Sequence, residues 1–300
     1  MTMLHHYTSI ESFMGMSEYA PKVNSNSHLL FWASSVYVMN DSSEFEYGIE
    51  ALNKTIKEYE EKTNVDKEYR MSSAFEEYIA IDPFFKSAEE LRKKYFTNNP
   101  KTPFIISFSK KEDDLSMWSM YGNGGHGLCL VFSEDIPHFS LNDNITSHDP
   151  TPVHYGKDIE QHVTLYERFR ENYIKSLNII MQASKKERPT IKMYEKSRLY
   201  AFIAPFVKDP AFSEEEEVRI ATFLNSLDSV KFRCRNNRVI PYVEAPISFE
   251  YLKKIIIGPC CDELSTRRAI SFILEKHGIN RDTIINNDVI IEKSHIPYII

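Results

Sequence analysis

The sequence has no apolar run long enough to cross a membrane and no recognisable export signal. No stretch approaches ~18 consecutive apolar residues. The opening MTMLHHYTSI lacks the basic start and apolar core of a signal peptide. We therefore expect a soluble, cytoplasmic protein with no membrane partner. Its 36 basic and 43 acidic side chains give a net charge of −7, which argues against a general nucleic-acid coat.

Cysteine is scarce, and its spacing is not that of a metal site. The four cysteines include the adjacent pair Cys260 and Cys261, and none forms the C-x-x-C pair typical of zinc ligation. The histidines between residues 126 and 162 show no ligand spacing either. We expect no metal, and we interpret the cysteines as small apolar core residues in a reducing cytosol.

Glycine is also scarce, and four of the nine lie between residues 122 and 127. The spacing Gly122-x-Gly124-x-x-Gly127 matches the dinucleotide fingerprint, which requires a strand before it and a helix after it. Here a helical pattern over 115–121 precedes the glycines and a strand pattern over 127–132 follows them. The sequence therefore predicts a tight turn rather than a phosphate-binding loop.

The remaining patterns predict an α+β protein. Strand-like runs cover 29–38, 103–109, 217–223, 230–243, 255–257 and 289–300, whereas helical periodicity covers 66–80, 87–96, 158–183 and 263–277. A further helix is predicted after Ser43, with one face made of Phe45, Ile49, Leu52, Ile56 and Tyr59 at spacings of four and three. Because strands and helices do not alternate strictly, we predict one domain over 1–300. Its core is a mixed or antiparallel sheet, with helical insertions near 43–97 and 158–205.

The acidic segment FSEEEEVR at 212–219 carries the clearest chemical signal. If it leads into a strand, Glu215, Glu217 and Arg219 share one face while Val218 points into the core. One carboxylate could hold a ribose hydroxyl and stabilise an oxocarbenium-like centre, while the other orients an acceptor. A solvated helix end or loop is the alternative, and the sequence leaves both interpretations open.

Two other polar groups have equally plain alternatives. His5 and His6 precede Tyr7 and Thr8, a polar strip that suits a ribose but also suits an exposed surface. The cations Lys231, Arg233 and Arg235 alternate with apolar residues on a predicted strand. They form either a solvent-exposed face or a surface for the phosphates of a nucleotide or nucleic acid.

Several segments together resemble a bacterial family catalogued as domain of unknown function 2971. The resemblance rests on LHHYTS at 4–9, FWASSVYVMNDSSEF at 31–45, ISFSKKEDDLSMWSMYG at 106–122 and FSEEEEVR at 212–219. IIIGP at 255–259 and HIPY at 295–298 also fit. The combination spans nearly the whole chain, although the family name implies no activity.

A more distant resemblance is to ADP-ribosyltransferases of toxin–antitoxin and phage-defence systems. It rests on a His-x-Thr strand, an aromatic-Ser/Asn strand and a late Glu-x-Glu strand. It implies an ADP-ribosyltransferase-like fold with NAD as substrate, and a toxin or defence effector that a partner protein restrains. The residues it implies are His6 and Thr8 for the first motif, Glu217 with Glu215 for catalysis, Arg219 beside them, Tyr7 or Tyr37 against nicotinamide, and Trp32, Ser34, Ser35, Tyr37 or Asn40 for the middle motif.

Two functions follow as hypotheses. The first is an NAD-consuming transferase that modifies a protein or nucleic acid, or an NAD glycohydrolase if the acceptor is water. It requires His6 and Glu217 to face one pocket. The second is a non-enzymatic sensor or partner module that binds a nucleotide or nucleic acid through Lys231, Arg233 and Arg235. Nucleic-acid binding under the second hypothesis should weaken steeply as the salt concentration rises, whereas NAD cleavage should depend far less on salt.

Overall fold

The structure is a computed structural model that describes residues 2–18, 22–23, 26–38, 43–81, 103–138, 140–141, 145–235, 237–279 and 289–297. Seven α-helices lie in these ranges. They are α1 (Ile10–Glu18), α2 (Glu44–Lys62), α3 (Ala74–Ile81), α4 (Leu115–Met120), α5 (Val163–Gln182), α6 (Arg188–Ile203) and α7 (Glu263–Lys276). Within the described ranges, none of them is both long and apolar enough to cross a membrane.

The strands range from two residues to eleven. They are β1 (Met3–Ser9), β2 (Lys22–Val23), β3 (Asn26–Ser35), β4 (Phe104–Ser109), β5 (Gly127–Ser133), β6 (Ser140–Leu141), β7 (Ile145–Ser147), β8 (Thr151–Pro152), β9 (His154–Tyr155), β10 (Val207–Lys208), β11 (Glu217–Leu224), β12 (Lys231–Arg235), β13 (Arg238–Ser248), β14 (Leu252–Ile257) and β15 (Ile290–Lys293).

Most strands join one large sheet that is mainly antiparallel. Its main path runs β12-β13-β3-β4-β1-β5-β14-β15, and β11 joins the path at β4. In the main path only β14 and β15 pair in parallel. Short strands β7 and β8 extend β11 on its far side. The predicted α+β class with a mixed sheet is therefore confirmed.

Helices cover both faces of this sheet. On one face, Phe13 of α1 and Ile270 of α7 join the core cluster that includes Leu4 of β1. On the other face, α2, α5 and α6 form a second cluster against Ile105 and Ala221 of the sheet. Helix α2 buries its apolar residues at spacings of four and three, so its predicted face is confirmed. Helices α2, α5 and α6 lie in the two regions where helical insertions were predicted.

The sequence patterns locate the elements but miss several ends. Strand β3 ends at Ser35 rather than Val38, because a 3₁₀ turn follows it. The helix predicted over 158–183 begins only at Val163, after a 3₁₀ turn. The helix predicted over 66–80 is the shorter α3, and the C-terminal strand is β15 alone. The helix predicted over 87–96 lies outside the described residues.

The glycines at 122–127 form the predicted turn between α4 and β5. Gly124 and Gly125 have positive φ angles of 60° and 83°, which cost glycine little. Gly127 begins β5 beside β1, where an added Cβ would lie 2.1 Å from the Thr8 carbonyl oxygen. A helix precedes this segment and a strand follows it, the reverse of a dinucleotide fingerprint.

Candidate functional site

The site forms where the sheet divides at β4. One edge of β4 pairs with β11 along its whole length, from Phe104 to Ser109. The opposite edge is shared, because β3 pairs only with Phe104 and Ile105, and β1 pairs only with Ser109. Ser107 lies between these two pairings. We call this gap the β1–β4 split.

Two imidazole rings bridge the split. His5 Nδ1 lies 3.1 Å from the Ser109 carbonyl oxygen, and His6 Nδ1 lies 2.9 Å from that of Ser107. A carbonyl oxygen only accepts, so each Nδ1 donates and each neutral ring presents Nε2 as an acceptor. His5 Nε2 is buried, and no described residue forms a hydrogen bond with it. Burial lowers the pKa of His5, and it lowers the pKa of His6 to about 4.

The strand register decides which histidine accompanies the glutamates. Glu217 is opposite Ser109, and Ser109 is opposite His5, so these three side chains share one face. His6 lies on the other face, where its ring centre is 4.9 Å from that of Phe31. His6 and Glu217 therefore do not face one pocket, as the hypothesis of an NAD-consuming transferase with His6 as the ribose contact requires, because alternation along β1 turns adjacent histidines to opposite faces.

Glu217 is buried and fully hydrogen-bonded. Arg219 donates to both carboxylate oxygens of Glu217, from Nε to Oε1 and from Nη2 to Oε2, each at 2.8 Å. Lys208 Nζ is 3.1 Å from Oε2, and the Ser107 hydroxyl also donates. Burial alone raises the pKa of Glu217, but Arg219 and Lys208 outweigh it and lower the pKa to about 2. Glu217 is therefore an ionised acceptor at neutral pH.

Glu217 belongs to a larger group that we call the charge cluster, made of Glu44, Lys208, Glu215, Glu217 and Arg219. Lys208 Nζ is 2.5 Å from Glu215 Oε2 and 3.4 Å from Glu44 Oε2. Arg219 also pairs with Glu44. Burial lowers the pKa of Lys208, but Glu217 and Glu44 raise it by more. Three carboxylates face two cations, so the cluster carries an excess negative charge.

Arg219 does not meet the expectation of a cofactor contact. Its side chain is 1% exposed. Beyond Glu217 and Glu44, its Nη1 donates to the Pro205 carbonyl oxygen at 2.5 Å. With every side of the guanidinium directed at protein atoms, Arg219 orients Glu217 and keeps it ionised. The sequence interpretation of Arg219 as the partner of Glu217 is thus confirmed, whereas direct contact with a ligand is not supported.

The other predicted cofactor residues are dispersed. Tyr7 packs edge-on to Trp118 and donates its hydroxyl to the Lys111 carbonyl oxygen at 2.9 Å. Thr8 is buried on the opposite face from Tyr7. Ser34 Oγ accepts from Arg233, and Tyr37 packs against the helix α2. Asn40 lies outside the described residues. The residues of β3 therefore do not supply the strand between His5 and Glu217.

The alternative phosphate surface on β12 is already engaged. Lys231 Nζ pairs with Glu244 at 2.7 Å. The Arg233 guanidinium donates to Ser34 and lies over the Trp32 ring, 4.9 Å from its centroid. The side chain of Arg235 lies outside the described residues. Lys231 and Arg233 therefore have partners within the protein, and no ligand is needed to account for their positions.

Several residues of the site were not singled out by the sequence. Ser107 and Ser109 lie on β4, between the strands that carry His5 and Glu217. The Tyr155 hydroxyl accepts the Glu217 N–H at 2.8 Å, and the Tyr121 hydroxyl donates to Glu215 Oε1 at 2.8 Å. The alternation IISFS was a usable signal, because it puts two serines on one face of a strand predicted to be buried.

In the part of the chain that the structure describes, no group of three or more His, Cys, Asp or Glu side chains is arranged to hold a metal ion. The charge cluster itself pairs its carboxylates with Lys208 and Arg219. The acceptor left for the hydroxyl donor of a ligand is the Nε2 of His5, which no donor among the described residues reaches, whereas the Glu217 carboxylate already accepts four hydrogen bonds.

Comparison with known families gives one match. The family model described as "Protein of unknown function (DUF2971)" matches residues 117–220. The DUF2971 resemblance is confirmed. The matched region covers about a third of the chain and contains Lys208, Glu215, Glu217 and Arg219, whereas β1 with its two histidines precedes it. No curated protein and no solved structure matches the chain.

His6 is expected to make the free energy of unfolding depend on pH. Its folded pKa of about 4 lies below the ordinary 6.5, so lowering the pH from 7.5 to 5.5 protonates the unfolded chain first. We expect a loss of about 1 kcal/mol in unfolding free energy from this group. Urea denaturation of His6→Gln should show a correspondingly smaller pH dependence, whereas His138→Gln, at an exposed position, should match wild type. An unchanged dependence in His6→Gln would contradict the prediction.

Proposed function

We propose that the protein is an NAD-consuming transferase of the ADP-ribosyltransferase type, with Glu217 as its catalytic carboxylate and His5, rather than His6, as the ribose contact. The observation that carries the proposal is the in-register row His5–Ser109–Glu217 on one face of three adjacent strands. It joins the strand of the first motif to the strand of the Glu-x-Glu motif across a split in the sheet.

The electrostatics of the charge cluster favour this chemistry. When nicotinamide leaves, positive charge develops on the ribose, and a fixed carboxylate nearby stabilises it. Glu217 is ionised at neutral pH, and the cluster around it has one more carboxylate than it has cations. The Glu215 carboxylate, two residues earlier, would orient the acceptor.

A ribose hydroxyl must displace a donor to reach Glu217. Four donors already occupy the carboxylate: two from Arg219, one from Lys208 and one from Ser107. A carboxylate has about four acceptor positions in all. The Lys208 Nζ lies 3.1 Å from Glu217, farther than the two nitrogens of Arg219 at 2.8 Å. If Lys208 moves away from Glu217, it still has Glu215 and Glu44 as ion-pair partners. Substrate binding is therefore coupled to movement of Lys208.

The test is nicotinamide release from NAD by the purified protein, alone and with lysate proteins or nucleic acid as acceptors. His5→Gln removes the buried Nε2 acceptor, and we expect turnover to fall about tenfold or more. His6→Gln is the matched control, since His6 makes the same kind of carbonyl bond from the other face. It should retain most of the turnover.

Labelled NAD then identifies the acceptor as protein, nucleic acid or water. Two results would overturn the proposal. One is the absence of nicotinamide release and of NAD binding under every acceptor condition. The other is turnover that depends on His6 but not on His5, because the active face would then be the one without Glu217.

A further inference from the structure

A second group of basic side chains lies beside β11, outside the charge cluster. We call it the basic cluster, and it consists of His148, His154, His162 and Arg168. His148 follows β7, His154 begins β9, His162 is the N-cap of α5, and Arg168 is in the second turn of α5. Its members come from three separate segments that the fold brings together.

Arg168 is a partly buried cation that forms no ion pair with a carboxylate among the described residues. Its Nη2 donates to Thr151 Oγ1 at 2.8 Å, and its guanidinium lies over the Phe206 ring. Its Nη1 is buried and has no hydrogen-bond partner in the part of the chain that the structure describes. Burial lowers the pKa of Arg168, and the acidic group that acts on it is Asp149, which is exposed and pairs with His138. Buried charges are normally paired, so this one lacks an anion.

The histidines leave further nitrogen atoms without partners. Nε2 of His148 and Nε2 of His154 are both buried, and neither has a hydrogen-bond partner within the described ranges. His162 Nδ1 accepts the Leu165 N–H at 3.2 Å, so the neutral His162 ring carries its proton on Nε2. The rings of His154 and His162 are 5.8 Å apart. Burial lowers the pKa of His148 and of His162, and the charge of Arg168 lowers both further.

The basic cluster shares a face with the charge cluster. Thr151, which holds Arg168, is the β8 partner of Arg219 in the register with β11. The Val153 N–H donates to the Glu217 carbonyl oxygen at 2.9 Å. Neighbouring strands are about 4.8 Å apart, so β8, whose Thr151 accepts from Arg168, lies roughly 10 Å from β4 at the split.

We propose that the basic cluster binds a phosphate group of a nucleotide. Arg168 supplies unpaired guanidinium donors, which match phosphate oxygens in geometry and charge. His162 caps the N-terminus of the 20-residue helix α5, where the helix dipole also favours an anion. The choice of a nucleotide rests on the proposed function, since a dinucleotide spans the distance from the split. The phosphate chemistry rests on the basic cluster alone.

The experiment compares ADP with adenosine by calorimetry, in wild type, Arg168→Met and Arg170→Met. Arg170 is the matched control, because it is exposed and lies two residues away on the same helix. We expect ADP to bind the wild type and Arg170→Met equally, and Arg168→Met at least about tenfold more weakly. Adenosine, without phosphate, should bind all three proteins alike.

A stability measurement separates a ligand contact from a structural role. Without ligand, Arg168→Met should unfold at the same temperature as wild type or higher, because it removes an unpaired buried charge. ADP should raise the unfolding temperature of wild type and not that of Arg168→Met. If the variant is destabilised without ligand and ADP still stabilises it, Arg168 is structural and the proposal is wrong.

The histidines predict the pH dependence of binding. A protonated ring donates from both nitrogens and adds a positive charge, so ADP affinity should rise as the pH falls from 8 to 7, above the second pKa of the terminal phosphate, and protons should be taken up. The other charged groups near these rings are Asp149, Asp158, Lys110 and Arg168. Affinity that falls over this range would contradict the assignment of both histidines.

The outcomes distinguish this proposal from the proposed function. ADP binding that requires Arg168, in a protein that releases no nicotinamide, supports the phosphate site and rejects the enzyme. Nicotinamide release that is identical in Arg168→Met, with unchanged ADP binding, rejects the phosphate site and supports the enzyme. A single-stranded oligonucleotide is the third probe. If its binding requires Arg168 while that of ADP does not, the assignment to a nucleotide is wrong.

Discussion

Glu217→Gln is expected to reduce nicotinamide release by about 10²–10⁴-fold. The substitution keeps the size of the side chain and one acceptor oxygen, but it removes the negative charge that stabilises the ribose cation. The effect should appear mainly in kcat, because the charge on the ribose develops only in the transition state. Nicotinamide release at saturating NAD, measured by chromatography, gives this value directly.

The matched control is Glu214→Gln, the same chemical change three residues earlier. The Glu214 side chain is 89% exposed and pairs with Lys111, so the turnover of Glu214→Gln should equal that of wild type. Circular dichroism and an unfolding midpoint establish that Glu217→Gln is folded. A folded Glu217→Gln with wild-type turnover would show that the carboxylate is structural, and the proposed function would lose its catalytic residue.

The strand that carries Glu217 could be predicted from sequence because its pattern is local. Val218 and Ile220 alternate with Glu217 and Arg219, and period-two alternation places the two sets on opposite faces of a strand. The structure has this arrangement: Val218 and Ile220 join the apolar core, while Glu217 and Arg219 join the charge cluster. The Arg219–Glu217 pair could be predicted for the same reason, since the two residues are neighbours on one face.

The rest of the site depends on contacts between distant segments. The choice between His5 and His6 is made by register with Ser109, which lies 104 residues from His5, and no local pattern records that register. Glu44 begins a helix 175 residues before Arg219, and only packing of α2 against β11 brings them together. Lys208 lies on the two-residue strand β10, whose pairing with β9 is also non-local. From the neighbouring sequence alone, each of these residues would be interpreted as an ordinary polar or charged residue on the surface.

Arg219→Met is expected to destabilise the fold by about 3–5 kcal/mol. The substitution fills a similar volume but leaves Glu217 and Glu44 buried, with Lys208 as the cation that remains in the charge cluster. Three carboxylates would then face a single cation. Urea denaturation at pH 7.5 measures the loss, and Arg170→Met at an exposed position should change stability by less than about 0.5 kcal/mol.

A double substitution tests whether charge, rather than packing, causes this loss. Arg219→Met combined with Glu44→Gln removes one of the uncompensated carboxylates, so it should be more stable than Arg219→Met alone. The coupling between the two positions should exceed about 1 kcal/mol, because their side chains are in direct contact. Simple additivity of the two changes would contradict it and assign the loss to packing. Coupling would instead show that the loss in Arg219→Met comes from the carboxylates of the charge cluster that Arg219 compensates.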